Sequence, residues 1–135
     1  MALGTFAPLA LVVDDAEENR FVAKKILEAM GYECLEALNG LEALELLRTS
    51  REIGLMILDL TMPVMDGYSV LAQMDTCRWQ PPTIVVSAYV RKEKASALER
   101  ASRVLDKPLN VPQFMQIVEQ LRKPPQAYEA VRRTA

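Results

Sequence analysis

The stretch LALVVDD, residues 9–15, decides the fold, because five apolar residues in a row stop abruptly at two aspartates. A strand buried on both faces of a parallel sheet has this unbroken apolar pattern, whereas a strand with one wet face alternates. The same design returns in LMILD (55–59) and TIVVS (83–87), which end on a carboxylate and a hydroxyl. Three such strands predict a parallel sheet with a polar site along its carboxyl edge.

Amphipathic stretches separate these strands. Apolar residues recur at helical spacing over residues 18–30, and Gly31 ends that run as a helix C-cap would. Residues 32–36 form a short, more polar strand that we expect near an edge of the sheet. The remaining predicted elements are helices opening at Asn39-Gly40, near residues 68–74, over residues 91–101 and at the N-cap Asn110, with a brief strand at Val104-Leu105.

This alternation of strands and helices is typical of βαβ units, so the fold class is α/β with five strands and five helices. We expect one domain over residues 8–122. Pro124-Pro125 would end the last helix, and residues 123–135 would form a C-terminal tail or linker.

Composition excludes several classes of function. The chain has 135 residues, 50% of them apolar, two cysteines and no histidine. Histidine-based catalysis and zinc binding are therefore not expected. No apolar run approaches the roughly 20 residues of a membrane span, and no signal peptide is visible. We expect a cytoplasmic protein with reduced thiols and no membrane insertion.

Charge is unevenly distributed along the chain. Residues 1–90 carry 6 basic and 13 acidic side chains, and residues 91–135 carry 10 basic and 5 acidic ones. This asymmetry indicates an acidic site early and a basic surface late. The stretch Arg91–Arg103 is a solvated helix face or a surface for an acidic partner. Direct nucleic-acid binding is not expected, because no groove-reading motif accompanies the basic residues.

The polar residues at the strand ends predict the chemistry. Asp14, Asp15 and Asp59 would meet at one edge of the sheet, where their charges repel unless a hard divalent cation such as Mg²⁺ lies between them. Lys107 would pair with Asp59 and later with a phosphate, and the Ser87 hydroxyl would donate to a phosphate oxygen. Each residue alone is more often a cap or a turn residue; their combination and order carry the inference.

Four motifs together resemble the receiver domain of response regulators over about residues 8–122. They are Val12-Val13-Asp14-Asp15, Asp59-Leu60-Thr61-Met62-Pro63 followed by Asp66-Gly67, Ser87-Ala88, and Lys107-Pro108. The resemblance implies a flavodoxin-like, doubly wound five-stranded parallel sheet of order 2-1-3-4-5 flanked by five helices.

The resemblance also implies roles for the site residues. Asp59 would be the phosphoacceptor, and Ser87 and Lys107 would sense the phosphate. The ligands of a Mg²⁺ (or Mn²⁺) ion would be Asp14, Asp15, Asp59 and the backbone carbonyl of Thr61. The donor implied by the resemblance is a histidine kinase or a histidine phosphotransfer protein. Since the chain has no histidine, the phosphorylated histidine would lie on another protein or on a domain outside this sequence. The protein would be a switch that assists its own phosphorylation and dephosphorylation, with an effector contacting residues 88–106.

Two positions depart from the family pattern or modify it. Val104 stands where family members commonly carry an aromatic residue. Either this is ordinary variation within the family, or the output of this protein depends on movement of the loop after Ser87. Tyr89 is expected to shield the acyl phosphate from water and lengthen its lifetime.

Two other functions remain open. A metal-dependent phosphatase with an aspartyl intermediate would need a second acid where Thr61 stands, and it leaves Asp14-Asp15 unexplained. A degenerate receiver would serve only as a protein-binding module.

Overall fold

Five strands alternate with helices in the computed structural model, which describes residues 7–50, 52–77 and 79–122. The strands are β1 (Leu9–Val13), β2 (Glu33–Ala37), β3 (Leu55–Leu58), β4 (Thr83–Ser87) and β5 (Arg103–Asp106). The α-helices are α1 (Glu17–Ala29), α2 (Gly40–Thr49), α3 (Gly67–Gln73) and α4 (Val111–Arg122). There are also a short 3₁₀ helix, Met74–Thr76, and a nine-residue one, Lys92–Arg100, called the long 3₁₀ helix below.

All strands pair in parallel in the order β2-β1-β3-β4-β5, which confirms the predicted sheet. Val13 lies opposite Leu58 in the register of β1 and β3. The next residues, Asp14 and Asp59, therefore leave the sheet side by side. Connections run in opposite directions on either side of this strand pair, so the pair is the topological switch point where α/β sheets form sites.

Helices cover both faces of the sheet. On one face Leu11 and Val13 pack with α2 and α3, and on the other Ala10 and Val12 pack with α1 and α4. Every residue of β1 is buried. This two-sided burial explains why the sequence of the strand is apolar throughout and does not alternate.

Three predicted helix boundaries are confirmed. Gly31 follows α1 with a φ of 96°, a left-handed conformation that glycine adopts without steric cost. The side chain of Asn39 accepts a hydrogen bond from the Glu42 N–H at the start of α2. Asn110 accepts one from the Gln113 N–H in the same way before α4.

The helix predicted over residues 91–101 is the long 3₁₀ helix, and none of its side chains is fully buried. Its apolar residues Ala95 and Leu98 are three apart, and Ala101 follows at the same spacing directly after the helix. Side chains three apart align in a 3₁₀ helix, so this spacing suits the geometry observed.

Residues 123–135, with the predicted tail, lie outside the described residues. Within the described part of the chain, no helix has the length and apolar character that a membrane crossing requires.

Candidate functional site

Three carboxylates meet at the carboxyl edge of the sheet. Each of Asp14, Asp15 and Asp59 offers an oxygen that lies within 4.8 Å of the others. Asp14 and Asp59 are buried and Asp15 is exposed. Backbone hydrogen bonds place the two buried residues: the Asp14 N–H donates to the Ala37 carbonyl at 3.1 Å, and the Asp59 N–H to the Val13 carbonyl at 2.9 Å.

Lys107 brings a positive charge to these carboxylates. Its Nζ lies 3.0 Å from Asp14 Oδ2 and 3.5 Å from Asp59 Oδ1. The backbone N–H of Lys107 donates to the Ser87 carbonyl at 3.0 Å, which fixes the end of β5 beside β4. From sequence, Lys107 is expected to pair with Asp59; the structure shows that its shorter contact is with Asp14.

The surroundings shift the pKa values of both partners. Burial and the charge of Asp14 raise the pKa of Asp59, although Lys107 and a backbone hydrogen bond from Thr61 oppose the rise. Burial alone would lower the pKa of Lys107. Its hydrogen bond to Asp14 and the charge of Asp59 outweigh burial, so its pKa is raised and the ammonium form persists.

Ser87 ends β4 with a buried side chain. Its hydroxyl donates to the Tyr89 carbonyl at 2.9 Å and accepts from the Tyr89 N–H at 3.3 Å. The hydroxyl is therefore occupied by the loop that follows. The predicted contact of Ser87 with phosphate requires it to leave the Tyr89 carbonyl. Thr61 is exposed, and metal binding by its carbonyl remains a prediction.

Gly67 explains why the Asp66-Gly67 pair belongs to the motif. A Cβ on Gly67 would lie 2.3 Å from the Asp59 carbonyl oxygen, so no other residue fits without displacing the backbone. Asp66 caps α3 by accepting a hydrogen bond from the Ser69 N–H at 2.9 Å. The first turn of α3 thus packs directly on the backbone of Asp59.

One site residue that the sequence did not reveal is Arg20. Its Nη1 donates to the Asp14 carbonyl at 2.9 Å, and its Nε donates to Glu36 at 2.9 Å. Arg20 follows a run of polar residues that begins at Glu17, so its burial gives no periodic signal.

Two further features near the site were also missed. The Tyr68 hydroxyl accepts a hydrogen bond of 2.7 Å from the Arg91 N–H, which joins α3 to the start of the long 3₁₀ helix. Val64 has a φ of 69°, rare for a β-branched residue, and lies at the centre of a turn closed by the Met65 N–H and the Pro63 carbonyl.

An open cavity of about 560 Å³ lies between α1 and the segment after β5. Its walls are mainly apolar, and Asp14, Asp59 and Lys107 lie among its lining residues. The apolar part of the lining includes Val12, Val22, Ile57, Val86 and Leu109. The acidic cluster and Lys107 therefore form the polar part of the wall of this cavity.

The fold and the site together define a flavodoxin-like α/β domain whose carboxyl edge holds an acidic cluster, a lysine and a serine. The sequence profile of the response regulator receiver domain matches residues 10–119. The chain belongs to this family: it is a receiver domain, a signalling switch of two-component systems.

Individual relatives agree with this assignment. The polar-differentiation response regulator DivK of Brucella anthropi is 32% identical over 81% of this chain and 91% of its own length. The aerobic respiration control sensor protein ArcB of Escherichia coli K12 is 33% identical over 81% of this chain, but the match spans 14% of ArcB. The chain thus resembles both a small regulator and one part of a large sensor protein.

A solved structure resembles the fold closely. The response regulator protein TrrA of Thermotoga maritima, in complex with Mg(2+)-BeF, has a TM-score of 0.75 and 30% identity. The match covers 84% of this chain and 98% of that chain.

Proposed function

We propose that Asp59 is the residue of this receiver domain that accepts the phosphoryl group. The observation that carries this proposal is its environment: a buried carboxylate that faces two other carboxylates and the ammonium of Lys107. A carboxylate is an established nucleophile for phosphoryl groups. Asp14 is also buried, and its two oxygens accept hydrogen bonds from Lys107 and from the Ala16 N–H.

The acidic cluster fits a divalent cation. Three carboxylates with oxygens within 4.8 Å of one another repel in the absence of a counter-charge, and oxygen donors are the ligands of Mg²⁺. Asp14, Asp15, Asp59 and the Thr61 carbonyl would hold Mg²⁺ or Mn²⁺, which when bound neutralises the oxygens of the transferred group. The TrrA structure, which contains Mg(2+)-BeF, supports this proposal.

The proposed transfer is a displacement at phosphorus. An oxygen of Asp59 forms a bond to phosphorus while the bond from phosphorus to the donor nitrogen breaks, and the nitrogen keeps the electron pair. The chain contains no histidine, so the phosphohistidine belongs to a histidine kinase or a histidine phosphotransfer protein. Lys107 then pairs with the new phosphoryl group. Hydrolysis of this group, assisted by the same residues, resets the switch.

Ser87 links the site to the surface in this proposal. To donate to a phosphoryl oxygen, its hydroxyl gives up the Tyr89 carbonyl, and the loop of residues 88–91 loses one of its hydrogen bonds. Residues 88–106 then present a changed surface to an effector, as a shift between two populated conformations. Position 104 on the edge strand β5 is a valine, so no aromatic ring takes part there.

We propose that Tyr89, two residues after Ser87, shields the acyl phosphate from water. Its side chain is 70% exposed. A slower loss of phosphate from the native protein than from Tyr89→Ala would support shielding. We propose a cytoplasmic location, which fits the two unpaired cysteines, Cys34 and Cys77.

Phosphorylation is tested by intact mass after incubation with acetyl phosphate and Mg²⁺. The native protein is expected to gain one phosphoryl group, and Asp59→Asn to gain none. Asp106→Asn is the matched control, because Asp106 also ends a strand but is exposed and lies outside the acidic cluster. Chelation of the metal with EDTA is expected to abolish the gain in the native protein and in Asp106→Asn.

Failure of the native protein to gain mass, together with failure to bind beryllofluoride, would indicate a degenerate receiver that serves as a binding module. A mass gain that survives in Asp59→Asn would place the acceptor elsewhere.

A further inference from the structure

Arg20 is held at both ends of its guanidinium group. Nη1 donates to the backbone carbonyl of Asp14 at 2.9 Å, and Nε donates to the Glu36 carboxylate at 2.9 Å. The Arg20 side chain is only 11% exposed. A buried guanidinium with two fixed partners has one geometry, so it constrains the groups to which it is bound.

The charge of this residue is the wrong sign for the site it touches. A cation beside a cluster that binds a divalent cation would weaken the binding by repulsion. Glu36 offsets that charge, and it also accepts a hydrogen bond from Lys24 at 2.9 Å. The hydrogen bonds from Lys24 and Arg20 lower the pKa of Glu36, which therefore stays ionised. The arrangement keeps the geometry of the guanidinium and compensates its charge.

The bond to the Asp14 carbonyl completes the fixation of that residue. The Asp14 N–H is bound to the Ala37 carbonyl, one carboxylate oxygen accepts from the Ala16 N–H, and the other accepts from Lys107. The carbonyl of Asp14 is the remaining polar group of this residue, and it accepts the hydrogen bond from Arg20. With all four groups bound, the turn from Asp14 to Ala16 has a defined shape, and this shape sets where the exposed carboxylate of Asp15 points.

We propose that Arg20 is a positioning residue for the divalent-cation site, that it acts by clamping the Asp14 carbonyl, and that Glu36 holds the clamp in place. This inference rests on the proposed function in one respect, since it takes the acidic cluster to be the metal site. Partners that orient metal ligands commonly contribute about 10- to 100-fold to metal affinity.

The direction in which the dissociation constant for Mg²⁺ changes distinguishes a positioning role of Arg20 from a purely electrostatic one. Arg20→Met keeps an apolar stem and loses both donors. A clamp predicts that the dissociation constant for Mg²⁺, measured by titration calorimetry, rises about tenfold. Simple loss of a positive charge predicts the opposite, a lower dissociation constant.

Lys24→Met is the matched control. Lys24 pairs with the same carboxylate, but its Nζ bonds to Glu36 and not to the Asp14 carbonyl. We expect the dissociation constant for Mg²⁺ to change less than about twofold in this variant. An Arg20→Met protein that is folded and binds Mg²⁺ as tightly as the native protein, or more tightly, would overturn the proposal.

A second readout uses the metal-free protein and does not depend on the proposed function. Hydrogen exchange of the Ala16 amide reports on the turn, because that amide is bonded to Asp14. We expect exchange to be about tenfold faster in Arg20→Met than in Lys24→Met, compared at equal global stability from urea unfolding. Equal exchange rates would overturn the clamp.

Arg20→Lys covers the case in which Arg20→Met does not fold. One ammonium cannot reproduce the fixed fork of a guanidinium. The clamp predicts weaker Mg²⁺ binding and faster Ala16 exchange in Arg20→Lys despite its retained charge, and native values of both would refute it. If the native protein itself bound no Mg²⁺, the proposed metal site would fail, while the exchange measurement would still decide the role of Arg20.

Discussion

Two helices beside the site, α1 and the long 3₁₀ helix, are attached to the domain in opposite ways. α1 buries Ala23 and Leu27 against the sheet, and it buries Arg20 beside Asp14. The long 3₁₀ helix has nine residues, and none of them is fully buried. Burial of apolar surface is the main source of stability. We therefore expect α1 to be rigid and the long 3₁₀ helix to move at a low cost in free energy.

Polar contacts hold the long 3₁₀ helix to the layer of α3. Its Lys94 pairs with Asp66 at 3.1 Å, and Arg100 pairs with Asp75. Solvent screens exposed ion pairs of this kind, so they contribute little to stability. These contacts also use part of the basic stretch internally, so an acidic partner would compete with the carboxylates of Asp66 and Asp75 for it.

The difference shows how one small domain combines two requirements. The side of α1 carries the groups that must keep a fixed geometry for a cation, and the side of the long 3₁₀ helix carries groups that must rearrange when Ser87 changes its partner. The more stable side of the domain is thus the one that fixes the cation ligands, and the less stable side is the one that rearranges.

The largest expected effect comes from truncating an equivalent leucine in each helix. Leu27 is fully buried, and Leu27→Ala is expected to lower the free energy of unfolding by about 3 kcal/mol through the cavity it leaves. Leu98 is half-buried, and Leu98→Ala is expected to lower it by less than about 1 kcal/mol. Urea unfolding measures both. Equal losses would contradict the contrast between the two helices.

The acidic site between the two helices is expected to reduce stability when no metal is present. Burial and the charge of Asp14 raise the pKa of Asp59 above its ordinary value of 3.8. Asp59→Asn removes this buried charge, and we expect it to raise the free energy of unfolding at pH 7 by roughly 1–2 kcal/mol. Asp106→Asn, at an exposed strand end, is the control and is expected to change it little.

The pH dependence has a definite sign. Between the ordinary and the raised pKa of Asp59, the folded state binds more protons than the unfolded state, so native stability falls as pH rises through this window. The advantage of Asp59→Asn should therefore be full above the raised pKa and absent below the ordinary one. Unfolding curves across acidic and neutral pH test this. A difference that stays constant with pH would exclude the titration of Asp59 as its cause.

A smaller effect tests the attachment of the long 3₁₀ helix. Tyr68→Phe removes the hydroxyl that accepts the Arg91 N–H and leaves the ring in place. The expected loss of stability is about 1 kcal/mol. Hydrogen exchange should accelerate over residues 91–100 and remain unchanged over α1. Acceleration in both helices would show that the long 3₁₀ helix is not a separate unit.

Much of the fold follows from the sequence because burial leaves a periodic record. The unbroken apolar runs predicted the buried strands, and the short polar run predicted the edge position of β2. The motif resemblance supplied the strand order. The site followed from the strand ends, since Asp14, Asp59 and Ser87 must leave a parallel sheet at the same edge.

The contacts of long side chains leave no such record. Lys107 pairs with Asp59 as predicted, but its shorter contact, with Asp14, was not predicted, because several rotatable bonds separate its charge from the backbone. Arg20 was not predicted as a site residue, because it follows the polar residues 17–19 and its burial leaves no periodic signal. The 3₁₀ geometry of residues 92–100 depends on weak packing, which periodicity does not distinguish from an exposed α-helix.

The smallest expected effect concerns strain in the loop that joins Asp59 to α3. Val64 adopts a φ of 69°, and its side chain is 77% exposed, so its replacement removes almost no packing. Asparagine tolerates the left-handed conformation better than a β-branched residue does. We expect Val64→Asn to raise the free energy of unfolding by about 0.5 kcal/mol.

Val64→Thr is the matched control, because threonine keeps the β-branch and should give no gain. Thermal and urea unfolding of both variants test whether the strain is real. If the metal site is shaped by the α1 side of the domain, relief of strain in this loop should not affect it. We therefore expect the dissociation constant for Mg²⁺ to change by less than about twofold in Val64→Asn. A larger change in affinity would mean that the strained turn takes part in shaping the metal site, and that the rigid part of the domain extends beyond α1 to the start of α3.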